Sequence, residues 1–139
     1  MNFEFMSIEH AKQFQEVRNK IKSRLYRNDA AYLGIIYLIT GNEELYNTVV
    51  DCLNIPEGTF NSEYLSKDIE LDSDLSILFH LVTNIYVWVD QDAVSKHIEP
   101  IDIISLEDEN NFKLVLNAMK IVRYGIGNLY EVSEEKFYC

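Results

Sequence analysis

Residues 30–39, Ala-Ala-Tyr-Leu-Gly-Ile-Ile-Tyr-Leu-Ile, carry no charged side chain on any face. A stretch that is apolar all round must be buried whatever structure it takes, so the rest of the chain has to be arranged around it. It is too short to span a bilayer, which needs about 20 apolar residues. Its β-branched residues allow a strand. Asp29 before it and Gly41 after it suit a helix with a carboxylate cap and a glycine stop.

The flanking sequence reads as further helices. Ile8, Ala11, Phe14, Val17, Ile21 and Leu25 recur at steps of three or four, and Ser7 precedes them as a cap with Glu9 in the first turn. That spacing predicts one amphipathic helix over 8–26, its opposite face carrying Lys20, Arg24 and Arg27. Asn42, Glu43 and Glu44 open another helix, and 54–58 reads as a loop. A short helix is expected around 63–67, followed by an acidic linker. Ser73 then caps a strong helix over 74–89, whose wide apolar face places it at the centre of the fold. Residues 101–104 read as a short strand or extended chain, and Ser105 to Asp108 as a capping box. Phe112, Leu116, Met119 and Val122 form a last stripe that Gly125 stops, and 133–139 adds a final turn.

The expected fold is all-α, a single helical domain over 1–139 built as a bundle of four to six helices, with a minor short strand pair as the one β option. Only 5 Gly and 2 Pro in 139 residues argue against a many-turned β-sandwich. Two cysteines, Cys52 and Cys139, make no disulfide framework, and no basic residue precedes an apolar run at the start. The expected location is the cytoplasm, with no membrane association.

The charge is uneven. The net value is −11, from 12 Lys and Arg against 23 Asp and Glu, yet residues 1–30 sum to +2 and residues 31–139 to −13. Such a chain either folds its basic segment onto its own acidic surface or presents two faces of opposite sign.

Catalytic signatures are sparse. His10, His80 and His97 are far apart and lack ligand spacing, so neither a metal nor any other cofactor is expected. His80, inside an apolar helix, reads as a hydrogen-bonded core histidine. The Asp72/Asp74 and Asp90/Asp92 pairs and Glu107-Asp108-Glu109 read as helix-start or solvating acids. Gly125-Ile126-Gly127 lacks the third glycine of a dinucleotide loop, since Tyr130 stands there.

Three stretches resemble a family of small uncharacterised proteins of Gram-positive bacteria and their mobile elements, a domain of unknown function. They are Ser7-Ile8-Glu9-His10-Ala11-Lys12-Gln13-Phe14, Asp29-Ala30-Ala31-Tyr32 leading into Tyr37-Leu38-Ile39-Thr40-Gly41, and Leu78 to Tyr86. The matching positions are His10, Asp29, Tyr32, Asn84 and Tyr86. The family's second Asn is missing, Val87 standing there, as is a Trp before the central helix. The resemblance covers the first two thirds and supplies no activity. It implies that His10, Asp29, Tyr32 and Asn84 form a polar network.

The leading functional expectation is a non-enzymatic acidic interaction protein, an inhibitor of phage or mobile-element origin acting on a host nucleic-acid-processing or defence enzyme. It would be DNA-mimic-like or anti-CRISPR-like. Asp68, Glu70, Asp72, Asp74, Glu107, Asp108 and Glu109 are its interaction residues, and the partner is a basic nucleic-acid enzyme. One alternative is a small hydrolase or nucleotide-processing enzyme using His10, Asp29 and Asn84. A second is a nucleic-acid-binding regulator working through Lys20, Arg24 and Arg27. The acidity of the whole, with a pI near 4.6, argues against direct nucleic-acid binding, for which domains commonly exceed about 9. The opposed charges also lead us to expect self-association.

Overall fold

A computed structural model describes residues 3–61, 63, 73–89 and 97–127, with the side chains of Ser73, Trp88 and Val89 excepted. It contains, among these residues, α1 (Ile8–Asn19), α2 (Arg24–Arg27), α3 (Ala30–Thr40), α4 (Glu43–Val49), β1 (Leu53–Asn54), β2 (Thr59–Phe60), α5 (Ser73–Val89), α6 (Pro100–Ile104) and α7 (Glu109–Tyr124). The expected helix at 63–67, the acidic linker, Asp68, Glu70, Asp72, Asp90, Asp92 and the final turn lie outside the described residues.

The apolar run is a helix, and it is the hub. Asp29 Oδ1 accepts the Tyr32 N–H at 2.9 Å, which opens α3 as a carboxylate cap. All residues from Tyr32 to Thr40 are then buried. Helices α1, α4, α5 and α7 all pack on α3, which therefore has no solvent face to make polar. Helix α5 packs beside it, on α3 and α4, and buries Leu78, Phe79 and Val82 completely.

Helices α3 and α7 approach closely at Gly34. A Cβ there would lie 2.5 Å from Val122 Cγ2, so the missing side chain lets α3 and α7 touch. Gly34→Ala should destabilise by about 1–2 kcal/mol. The overpacking cost of about 1–3 kcal/mol outweighs the gain of up to about 1 kcal/mol in helix propensity, because branched Val122 cannot swing away freely. The urea midpoint reads this directly.

Three expectations need correction. The helix expected over 8–26 is two helices. Lys20 caps the end of α1, the Lys22 N–H pairs with Pro56 O at 2.9 Å, and Ser23 Oγ accepts from Tyr26 N to start α2. A distant carbonyl and a local cap together outcompete continuation of the helix. Residues 101–104 are helical. Pro100 occupies the first helical turn, where its missing N–H costs nothing, and Asp102 Oδ2 accepts from the Glu99 N–H at 2.9 Å. The cap of α7 is Asp108, not Ser105, which ends α6 and donates to Asp102 O at 2.7 Å. These added short helices raise the number to seven among the described residues.

The strand pair is minimal, with Leu53 opposite Phe60 and Asn54 opposite Thr59 in antiparallel register. Tyr86 of α5 anchors it, its hydroxyl donating to Gly58 O and accepting from Phe60 N, each at 3.2 Å. Tyr32 donates to Ile55 O at 2.8 Å from the α3 side.

Candidate functional site

The two ends of α3 carry opposite charge. At its N-terminal end, Lys20, Arg24 and Arg27 are exposed on α1 and α2. Arg18 is turned inward instead, its Nε donating to Arg27 O at 3.0 Å and its Nη2 to Asn28 Oδ1 at 2.8 Å. The basic stripe read from the sequence is therefore spread over two helices.

At the other end three helices begin together. Asn42 caps α4 by accepting from Leu45 N at 3.0 Å, Asp108 caps α7 by accepting from Asn110 N at 2.8 Å, and Asp74 lies in the first turn of α5. Helix N-termini stabilise acids, so this is where the fold can gather carboxylates.

A side-chain relay ties the three starts together. Asn42 Nδ2 donates to Asn111 Oδ1 at 3.0 Å, and Asn111 Nδ2 donates to Asp74 Oδ2 at 3.0 Å. Asp74 Oδ1 accepts from Glu107 N at 2.9 Å, and Oδ2 also accepts from Asp108 N at 3.0 Å. Slight burial pushes the Asp74 carboxyl upward, but these three hydrogen bonds together hold it below the usual carboxylate value.

An open cleft of about 360 Å³ sits here, lined by Asn42, Glu44, Asp74, Leu75, Glu107, Asp108 and Asn111. Glu44, Glu107, Asp108 and Glu109 are exposed, Glu109 pairing with Lys113 at 3.9 Å one turn along α7. No group of three His, Cys, Asp or Glu among the described residues is placed to hold a metal ion. What the cleft offers is two carboxylates, Asp74 and Asp108, fixed in place by backbone and amide donors, with the exposed Glu44 and Glu107 beside them.

Asp74→Ala should cost about 1–3 kcal/mol, since two backbone N–H groups and the Asn111 amide lose their acceptor. Solvent access to those donors keeps the loss toward the lower figure. The folded pKa of Asp74 is depressed, so its contribution is complete above the unfolded value near 3.9 and disappears as pH falls through the folded value. A denaturation series from pH 6 downward should show that component in the parent and not in Asp74→Ala.

The four residues expected in one polar network have separate roles. Asp29 and Tyr32 meet at the start of α3, through carboxylate and backbone N–H. His10 lies at the far end, its Nε2 donating to Tyr37 O at 2.9 Å and its Nδ1 accepting from Met6 N at 3.0 Å. Eight residues of helix separate Asp29 from Tyr37, roughly 12 Å at 1.5 Å per residue, which leaves His10 and Asp29 out of hydrogen-bond reach. Asn84 takes a third position on α5, donating to His80 O at 2.6 Å and accepting from Ile98 N at 3.3 Å.

His80 is half-buried; its Nδ1 bonds Ser76 O at 2.8 Å, and its Nε2 is buried with no hydrogen-bond partner among the described residues. Burial, reinforced by Asp51, pushes the Cys52 thiol up to about 12, which leaves it a protonated, unreactive group. Asn42 and Asn111 went unnoticed as site residues. Asn42 was legible as a cap, but nothing local marks Asn111.

A model of a family of unknown function, DUF6075, matches residues 1–136. The chain belongs to that family. The DUF6075 match runs through the apolar hub and both charged ends, so it covers every residue described above. No curated protein and no solved structure matches the chain. No described helix is long and apolar enough to cross a membrane.

Proposed function

We propose that this chain is a non-enzymatic interaction protein whose acidic end occupies a basic, phosphate-binding groove of a nucleic-acid enzyme and blocks it. The observation that carries this reading is the shared cleft at the meeting of α4, α5 and α7. It brings Glu44, Asp74, Glu107 and Asp108 from three separate stretches of sequence onto one surface. Clustered carboxylates, of which Asp74 and Asp108 are held by hydrogen bonds, imitate the phosphates such a groove is shaped to receive, and the net charge of −11 steers the encounter with a basic partner. In this reading the host enzyme is one of nucleic-acid processing or defence, the family's setting is a phage or other mobile element, and the complex forms in the cytoplasm.

The test uses Glu44→Lys with Glu107→Lys, two exposed positions whose side chains cap nothing. The parent chain, immobilised, is passed through lysate of the producing organism, and bound proteins are identified and re-tested in purified form. The expected result is a nucleic-acid enzyme that binds the parent, is displaced by duplex DNA, and binds the double variant about 10- to 100-fold more weakly, as loss of close charge pairs does. Equal binding by parent and variant, or no competition from DNA, rejects the reading.

A further inference from the structure

We propose that copies of this chain associate head to tail, the basic end of one seated on the acidic end of the next. The basic end presents the exposed side chains of Lys20, Arg24 and Arg27, together with Leu25, which is 73% exposed. Among the described residues none of these three cations forms an ion pair. The acidic end answers in both chemistries. Glu44, Glu107 and Asp108 are exposed, and so are Ile101 (65%) and Ile104 (67%) of α6, Ile104 lying three residues of chain from Glu107. The two ends are thus opposite in their exposed charges, and each carries an exposed apolar side chain.

The two ends cannot satisfy each other within one chain. Eleven residues of α3 stand between them, roughly 16 Å of rigid buried helix. A second copy is the available partner of matching sign and shape. The contact joins two different surfaces, so it propagates as a row or closes as a ring and does not stop at a twofold dimer. Net repulsion between two chains of −11 opposes it over long range. At about 0.15 M salt the screening length is near 8 Å, so facing ends attract while the bodies of the two chains scarcely interact. The patches are small, which places the association in the weak class. It shares an acidic end with the partner binding proposed above but needs no partner, so the two ideas fail separately.

Sedimentation velocity on the whole chain, over a concentration series, tests it. Two double variants remove one end each, Arg24→Ser with Leu25→Ser, and Ile104→Ser with Glu107→Ser. All four side chains are exposed, and unchanged circular dichroism and melting verify the fold. If either pair melts lower, Arg27→Ser and Ile101→Ser take their places. The parent should gain mass with concentration at 0.15 M salt and lose at least half of that gain at 1 M. Each variant alone should remain monomeric. Mixed in equal amounts they should give a 1:1 dimer and nothing larger, because one intact acidic end meets one intact basic end. A parent that is monomeric throughout, a variant that assembles like the parent, or a mixture that stays monomeric overturns the proposal.

Discussion

Replacing Tyr37 by Ala should lower the unfolding free energy by about 3–5 kcal/mol, the range for removing a fully buried aromatic ring. Tyr37 is fully buried near the end of α3. Its ring lies 5.8 Å from Phe3, 5.9 Å from Phe5, 4.5 Å from His10 and 6.5 Å from Phe14, centroid to centroid. Its hydroxyl donates to Glu4 O, which fastens the segment ahead of α1 across the hub. Burial, with Glu4 adding to it, raises the hydroxyl's pKa well above the ordinary value, so it remains a donor at every working pH. Domains of this size are stable by about 5–15 kcal/mol, so the substitution removes roughly a fifth or more of the total. Tyr37→Phe separates the two contributions. It keeps the ring and loses one hydrogen bond to a carbonyl that water can reach, for about 0.5–1.5 kcal/mol. Urea denaturation of both variants gives the ratio. Near-equal losses would mean that the hydroxyl, and not the aromatic cluster, fastens the segment.

The contrast between what was and was not legible follows from the range of the interactions involved. Asp29, Gly41, Asn42 and Gly125 mark helix ends by chemistry within three or four residues, and each sits at the boundary its type suggests. The break after Asn19 depends on Pro56, 34 residues from Lys22, and apolar periodicity runs through it without a mark. The wide apolar face of 74–89 and the all-round apolar run of α3 were both legible from composition, and these two helices pack on each other in the core. The acidic site was half legible. Asp74, Glu107 and Asp108 stand out as charges, whereas their convergence depends on Asn111, 37 residues from Asp74 and 69 from Asn42. Residues that matched the family pattern were legible as unusual polar positions. Their separation along α3 and α5 is a property of the fold alone.

His10 is the residue whose removal should come next in size, and its effect should depend on pH. It is buried at the carboxyl end of α3, where its Nε2–H satisfies the Tyr37 carbonyl while its Nδ1 lone pair accepts the Met6 N–H. That pairing fixes the neutral tautomer, since a proton on Nδ1 would face another donor. Desolvation lowers the His10 pKa below its ordinary value, and the bond to the Tyr37 carbonyl offsets only part of this. His10→Ala leaves a buried cavity and takes the acceptor from the Met6 N–H, while Tyr37 O keeps the Gly41 N–H at 3.1 Å, for about 2–4 kcal/mol at neutral pH. The sign of the pH effect follows from the direction of the shift. The unfolded chain binds this proton more readily than the folded one, so the His10 contribution is complete above about 6.5 and falls as pH drops below it. It levels off once the folded form is protonated as well. Stability of the parent should therefore decline from pH 7 to pH 5. His10→Gln, which can donate to Tyr37 O but does not titrate, should lose that component while retaining more stability than His10→Ala. The protection of the Met6 amide from exchange, relative to its intrinsic rate at each pH, should fall in the parent over the same interval, because its acceptor is the nitrogen that gains the proton. A parent and a His10→Gln variant with parallel pH profiles would show that another group carries the titration.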